Sequence, residues 1–169
     1  MKLYHGSNLK INSPDFKKSK RFLDFGVGFY LTSNEEQAIS FAHKVIKRVS
    51  KINSREVGAA TVSEYEFDLV AAERTLRVKH FLETDEDWLD FVIANRAGKA
   101  SAAYDVVIGP VANDDIFEVV GKYEDGLITK AQAIKDFKVK KLYNQFTICS
   151  EAALRLLKFV SYKQYSEGK

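Results

Sequence analysis

One cysteine, Cys149, stands in a chain of 169 residues. No internal disulfide framework is open to it, and a reducing, cytoplasmic setting is the expectation. Proline is nearly absent, with Pro14 and Pro110 the two present. No repeat or low-complexity tract appears, so nothing marks an interdomain linker. No run nears the roughly 18 apolar residues of a membrane helix. The opening Met-Lys-Leu-Tyr-His-Gly has no apolar stretch of the signal-peptide kind, so no membrane partner is expected. Charge of one sign is weak as well. The net value is +3, too small to argue for nucleic acid by bulk attraction. The charges are clustered, however. Lys17, Lys18, Lys20 and Arg21 form one basic group, and Lys44, Lys47, Arg48 and Lys51 another. Residues 83 to 90 are acidic. Solvation of a surface is the ordinary role of such runs, with contact to a phosphate-bearing ligand the alternative for the basic ones.

Several familiar sites are missing too. No phosphate-binding G-x-x-x-x-G-K-[ST] loop is present. Gly26-Val27-Gly28 lacks the third glycine of a dinucleotide fingerprint, because position 31 is Leu, and a charged loop precedes it. His5, His43, His80 and Cys149 have no metal-ligand spacing, so no metal is expected. No serine or cysteine sits in a nucleophile motif.

What remains reads as one compact domain over residues 1–169, long enough to bury a core without staples. Strands are expected at Lys2 to Tyr4, Phe29 to Leu31, Ala59 to Val70, Tyr104 to Ile108, Leu142 to Cys149 and Phe159 to Tyr162. The clearest helix covers 33 to 52. Ser33 and Glu36 offer a capping box, and Ala38, Phe41, Ala42, Val45, Ile46, Val49 and Ile52 form an apolar stripe. Further helices are expected from Thr84 and Asp87 through Val92, near 114 to 124, near 129 to 137 with Thr129 as cap, and from Ser150 to Lys158. Strands and helices mix without a regular βαβ period. That predicts an α+β fold with a mixed or largely antiparallel sheet and flanking helices.

Two short segments carry more than fold information: Leu3-Tyr4-His5-Gly6-Ser7 and Gly28-Phe29-Tyr30-Leu31-Thr32. Phe41 follows Tyr30 by eleven residues, and Gln145 sits in the late segment Leu142-Tyr143-Asn144-Gln145-Phe146-Thr147-Ile148. In this order and spacing they resemble the signature positions of the NAD-dependent ADP-ribosyltransferases of the diphtheria-toxin and poly(ADP-ribose)-polymerase type. The chain is similar to an uncharacterised bacterial group of that superfamily. There the opening segment, an Asp-Phe-Gly-x-Gly-Phe-Tyr-Leu-Thr run, a Trp-Leu-Asp-Phe-Val helix and an Ile-Gly-Pro-Val-Ala-Asn-Asp segment also occur in order. The likeness spans about residues 3 to 160.

The resemblance implies a split sheet and a pocket for NAD as co-substrate. It implies that His5 bonds the adenosine ribose, that the Gly6 backbone meets the nicotinamide amide, that Ser7 belongs to the NAD-binding segment, and that Tyr30 and Phe41 stack on the two faces of nicotinamide. Gln145 stands at the position usually held by a catalytic glutamate. His5, Tyr30, Phe41 and Gln145 should therefore line one cleft. The implied activity is transfer of a single ADP-ribose to a protein or nucleic-acid acceptor, as in a bacterial toxin neutralised by a small antitoxin protein. Two departures matter. Ala38 replaces a serine that bonds the carboxamide. Gln145 brings no negative charge and cannot serve as a general base. Asp24, Glu64 and Glu66 are the acidic groups that could substitute for it. A catalytically silent module holding NAD, ADP-ribose or a partner, and an NAD glycohydrolase, stay open beside the transferase.

Taken singly, each residue has a plainer role. His5 reads as a strand-edge histidine, Tyr30 and Phe41 as core aromatics, and Trp88 as core. Arg96 reads as a surface residue with a phosphate contact open. His43, His80 and Cys149 read as structural. The joint occurrence of the first three, in order, gives the NAD reading its weight.

Overall fold

The computed structural model describes residues 1–15, 23–52, 58–99, 103–111, 114–137 and 143–166. The first basic group, Lys17 to Arg21, lies outside them, as do Asn113 and Leu142. In chain order the elements are β1 (Lys2–Ser7), β2 (Phe29–Thr32), α1 (Glu35–Ile52), β3 (Ala60–Phe67), α2 (Leu69–Thr75), β4 (Val78–His80) and α3 (Glu86–Arg96). Then follow β5 (Val106–Val111), α4 (Asp114–Glu124), α5 (Lys130–Phe137), β6 (Tyr143–Ile148), α6 (Glu151–Leu154) and β7 (Leu157–Tyr165). The strands form one seven-stranded sheet in the order β4-β5-β6-β2-β1-β3-β7. β4 and β5 are parallel and the other neighbours antiparallel, so the fold is α+β with a mixed sheet. Among the described residues no helix is long and apolar enough to cross a membrane.

Side-chain alternation divides the core between the two sheet faces. Leu3, Phe29, Leu31, Tyr65, Phe67, Val106, Ile108, Phe146 and Ile148 are buried together. Across the sheet, α1 sits on β1 and β3 through Ala38, Ala42, Ala60 and Val62. A third cluster joins Phe25, Phe81, Trp88, Leu89, Val92, Val107, Val120 and Phe137. Trp88 is fully buried, as the sequence implied, and its indole N–H donates to the Pro110 carbonyl at 3.1 Å.

Element ends depart from the sequence expectations for local reasons. α1 is capped by Asn34, whose Oδ1 accepts the Gln37 N–H at 3.1 Å, and not by Ser33. Asp85, and not Thr84, caps α3 by accepting the Trp88 N–H. Thr129 and Ser150 do cap α5 and α6. α6 is a single short turn, because the alternating Leu157 to Tyr165 pairs with β3. The long strand expected to Val70 stops at Phe67, where Asp68 accepts the Ala71 N–H and starts α2. Gly109 and Pro110, expected to end a strand, lie inside β5, paired with Gln145 and Asn144. Pro110 is tolerated there because β4 pairs only as far as Ile108, so no ladder donor is needed on that side.

Candidate functional site

The sheet is weakest between β1 and β2. They are partnered at Tyr4 and Thr32 alone, whereas β1 and β3 run together from Lys2 and Glu66 to Ser7 and Thr61. His5 occupies that junction. Its Nδ1 lies 2.8 Å from the Tyr30 carbonyl, and its ring rests on Phe29 at 4.4 Å between centroids. A carbonyl only accepts, so Nδ1 carries the proton and Nε2 is left as an acceptor. Burial lowers the imidazole pKa from its ordinary 6.5, with the Tyr30 carbonyl opposing, so the ring is neutral at pH 7.

Gly6 is the next residue and has a packing role of its own. A Cβ there would stand 2.1 Å from the Ala38 carbonyl oxygen and 2.9 Å from the Ala42 nitrogen. Only glycine lets α1 cross β1 so closely. Ser7 ends the strand opposite Thr61, with its hydroxyl at 3.5 Å from Asn8 Oδ1.

Tyr30 pairs with Thr147, and Thr32 with Gln145, across β2 and β6. Directly paired residues share a face, so these four side chains form one patch of the sheet floor. The Tyr30 hydroxyl donates to the Gly26 carbonyl at 2.5 Å and accepts the Phe25 N–H at 3.2 Å. Burial pushes its pKa well up, so it stays a neutral phenol. Gln145 and Thr147 are buried; the Thr147 hydroxyl faces the Tyr30 hydroxyl, whereas Gln145 Nε2 has no hydrogen-bond partner among the described residues. Buried polar atoms are nearly always paired, so the lone Gln145 donor calls for an explanation.

The flank of α1 overhangs this floor. Gln37 Oε1 accepts the Thr32 hydroxyl proton at 2.6 Å. Phe41 lies one turn on from Gln37, along the same stripe of the helix. It is 49% exposed, which sets aside the core role its apolar stripe suggested. The buried face of α1 is narrower than that stripe, with Ala38 and Ala42 buried and Ile52 exposed.

The structure does not bring the four expected residues to one face. Tyr30 and Gln145 share a face. The His5 ring belongs to the opposite face with Leu3 and Phe29, and reaches the strand junction through Nδ1. Strand alternation makes this unavoidable, because Tyr4 is the β1 residue paired with Thr32. Thr147 was missed from the sequence, although its position two residues after Gln145 in a strand was enough to find it.

The other candidate groups are placed as follows. Arg96 is not a surface residue. Its Nε donates to Asp24 Oδ1 at 2.8 Å, and their side chains are 13% and 14% exposed. Asp24 is held in that pair, and burial raises its pKa despite the guanidinium. Glu64 accepts from Lys2 at 2.8 Å and from Ser161 at 3.1 Å, and Glu66 is exposed. Glu64 shares the sheet face of Tyr4, Thr32 and Gln145 but is engaged by Lys2 and Ser161, as Asp24 is by Arg96. His80 meets Glu73 at 3.2 Å. Burial drives the Cys149 thiol up to about 12, which fits a structural role. Lys44, Lys47, Arg48 and Lys51 are exposed on α1. Among the described residues no group of three His, Cys, Asp or Glu side chains could hold a metal ion.

No curated protein matches this chain. A family model, described as a protein of unknown function, DUF3990, matches residues 1–159. The chain belongs to the DUF3990 family of proteins of unknown function.

Proposed function

We propose that the chain binds NAD across the β2–β6 floor and transfers one ADP-ribose unit, with release of nicotinamide. One observation carries the reading. The unpaired, buried Gln145 Nε2 lies on the same patch of the sheet as Tyr30, and α1, which carries the exposed Phe41, reaches that patch through the Gln37 bond to Thr32. A buried donor left unpaired by the protein suits a polar ligand that arrives later. The thin β1–β2 junction supports the split-sheet fold that the resemblance implies.

Each residue then has a chemical task. The rings of Tyr30 and Phe41 supply flat apolar surfaces for the nicotinamide. His5 lies on the opposite face and acts from there by holding the Tyr30 carbonyl through Nδ1, with no contact to NAD on the floor. Gln145 Nε2 donates to the nicotinamide-ribose hydroxyl. The N-glycosidic bond breaks with its electron pair leaving on nicotinamide, and the ribose carbon becomes cationic. Fixed dipoles near that carbon lower the barrier. An acceptor nucleophile on a protein or nucleic acid closes the new bond and loses its proton. Gln145 cannot take that proton, so the acceptor or its carrier supplies the base. A toxin restrained by a small antitoxin protein fits such an activity.

A silent NAD- or ADP-ribose-binding module is the second reading. It is favoured by Gln145 in place of a carboxylate and by Ala38, which is buried against Gly6 and offers no hydroxyl. Incubating purified protein with NAD and measuring free nicotinamide, with cell extract as acceptor, separates the readings. Release together with a mass gain of one ADP-ribose on a target supports transfer. Release without a modified target identifies glycohydrolysis. Calorimetric binding without release identifies the module, and absence of binding removes the NAD pocket altogether.

A further inference from the structure

Tyr30 is tied at its hydroxyl to the turn that precedes β2, through the Phe25 N–H and the Gly26 carbonyl. That turn is in turn anchored to the end of α3. Asp24 accepts from Arg96 Nε at 2.8 Å, and Arg96 Nη1 also lies 3.8 Å from Glu124 on α4. Phe25 is buried, with Phe81 at 6.0 Å and Phe91 at 6.1 Å between centroids. Gly26 has φ of 83°, and a Cβ there would stand 2.6 Å from Asn95 Oδ1. Asn95 is itself fixed, since its Nδ2 donates to the Phe91 carbonyl at 2.9 Å. Three consecutive residues of the turn therefore each meet α3 or the cluster beneath it. The same turn supplies both partners of the Tyr30 hydroxyl.

We infer that Arg96 is a positioning residue for the Tyr30 ring. By holding Asp24 it fixes the 24–26 turn, and the turn fixes the plane that the ring presents to a flat ligand. This role rests on the NAD pocket proposed above. Arg96 suits it because its planar fork carries a fixed direction that a lysine ammonium lacks.

The test uses the full chain and NAD as probe. Wild type is titrated first by calorimetry, and loss of binding there would overturn both the pocket and this role before any variant is made. The charge-neutral pair Asp24→Asn with Arg96→Gln leaves no unpaired buried charge. It should raise the NAD Kd about three- to tenfold, roughly the worth of one stacked aromatic contact. Tyr30→Phe, which cuts the same tie at its other end, should do the same. Combining all three changes should add little beyond either alone, because they break one linkage. Amide hydrogen exchange in the peptide containing Phe25 should quicken in each variant. A wild-type protein that binds NAD, with a Kd unchanged in the charge-neutral variant, overturns the role. Fully additive effects overturn it too. If that variant loses its cooperative melt, Arg96→Lys is titrated in its place, and an unchanged Kd there again overturns the role.

Discussion

Replacing Gln145 by methionine should make the protein more stable and abolish its response to NAD. Gln145 is 9% exposed, and its Nε2 meets no partner among the described residues. A buried donor left unsatisfied costs about 1–3 kcal/mol. Methionine has nearly the same length, no donor and a flexible chain that fills irregular space. The backbone ladder to Thr32 and Gly109 is untouched. Allowing for imperfect packing, a gain of about 1–2 kcal/mol is expected. For a domain of this size each kcal/mol moves Tm by about 2–4 °C, so Tm should rise by about 2–8 °C. NAD at a hundred times its Kd stabilises a binding-competent protein by about 2.7 kcal/mol. That increment should be present in wild type and lost or much reduced in Gln145→Met. Differential scanning calorimetry of both proteins, with and without NAD, reads the two effects together. A fall in Tm for Gln145→Met would show that the amide has a structural partner, such as a buried water, and would remove the orphan as evidence of a ligand. An undiminished NAD increment in the variant would place the ligand elsewhere.

Gly6→Ala should destabilise by roughly 1–3 kcal/mol or more, because its Cβ would meet the Ala38 backbone and not a side chain that can rotate away. Urea melts measure this, and a loss under 0.5 kcal/mol, on the order expected of a neutral surface change, would refute the close crossing of α1. His5 makes stability depend on pH in a defined direction. Its folded pKa is depressed by burial below the unfolded 6.5, so its contribution is complete above about pH 6.5 and declines as pH falls below it. His5→Asn should flatten the Tm profile between about pH 6.5 and 5, and an identical slope in both proteins would contradict a half-buried imidazole held neutral. With its thiol pushed up to about 12, Cys149 should react slowly with iodoacetamide at pH 8 in the native state and quickly once unfolded. Fast native labelling would show that the thiol is not held as described.

The separate pieces of the fold were legible wherever a local pattern is enough. The α1 periodicity, the late strand around Gln145, the caps Thr129 and Ser150, and the buried Trp88 all follow from spacing and side-chain chemistry. β4 was not legible, because three residues of edge strand carry no period of their own and exist only by pairing with β5. α2 was hidden because Leu69 and Val70 extend the apolar content of β3, and only the Asp68 cap turns the chain. Gly109 and Pro110 look like a stop to any local rule. They stay in the ladder because their outer neighbour has already ended.

For the candidate site, the sequence by itself determined which chemistry was available. It put an imidazole, two aromatic rings and an amide at a spacing that resembles the ADP-ribosyltransferase signature, with no carboxylate at the Gln145 position. It could not say which of them meet. Tyr30 and Gln145, more than a hundred residues apart, share a face because β2 and β6 pair in one register, and a shift of one residue would have separated them. The same alternation turns the His5 ring to the other face and leaves it at the strand junction. Phe41 belongs to an apolar stripe in sequence but is exposed, because Gly6 draws α1 onto β1 through Ala38 and Ala42 and leaves the flank of the helix uncovered. Arg96 and Asp24 are seventy-two residues apart, and only the folding of the 24–26 turn onto α3 makes them a buried pair. Residue identity is a local property, whereas register, helix crossing and burial arise from contacts between distant segments. Those contacts decide which side chains can act together.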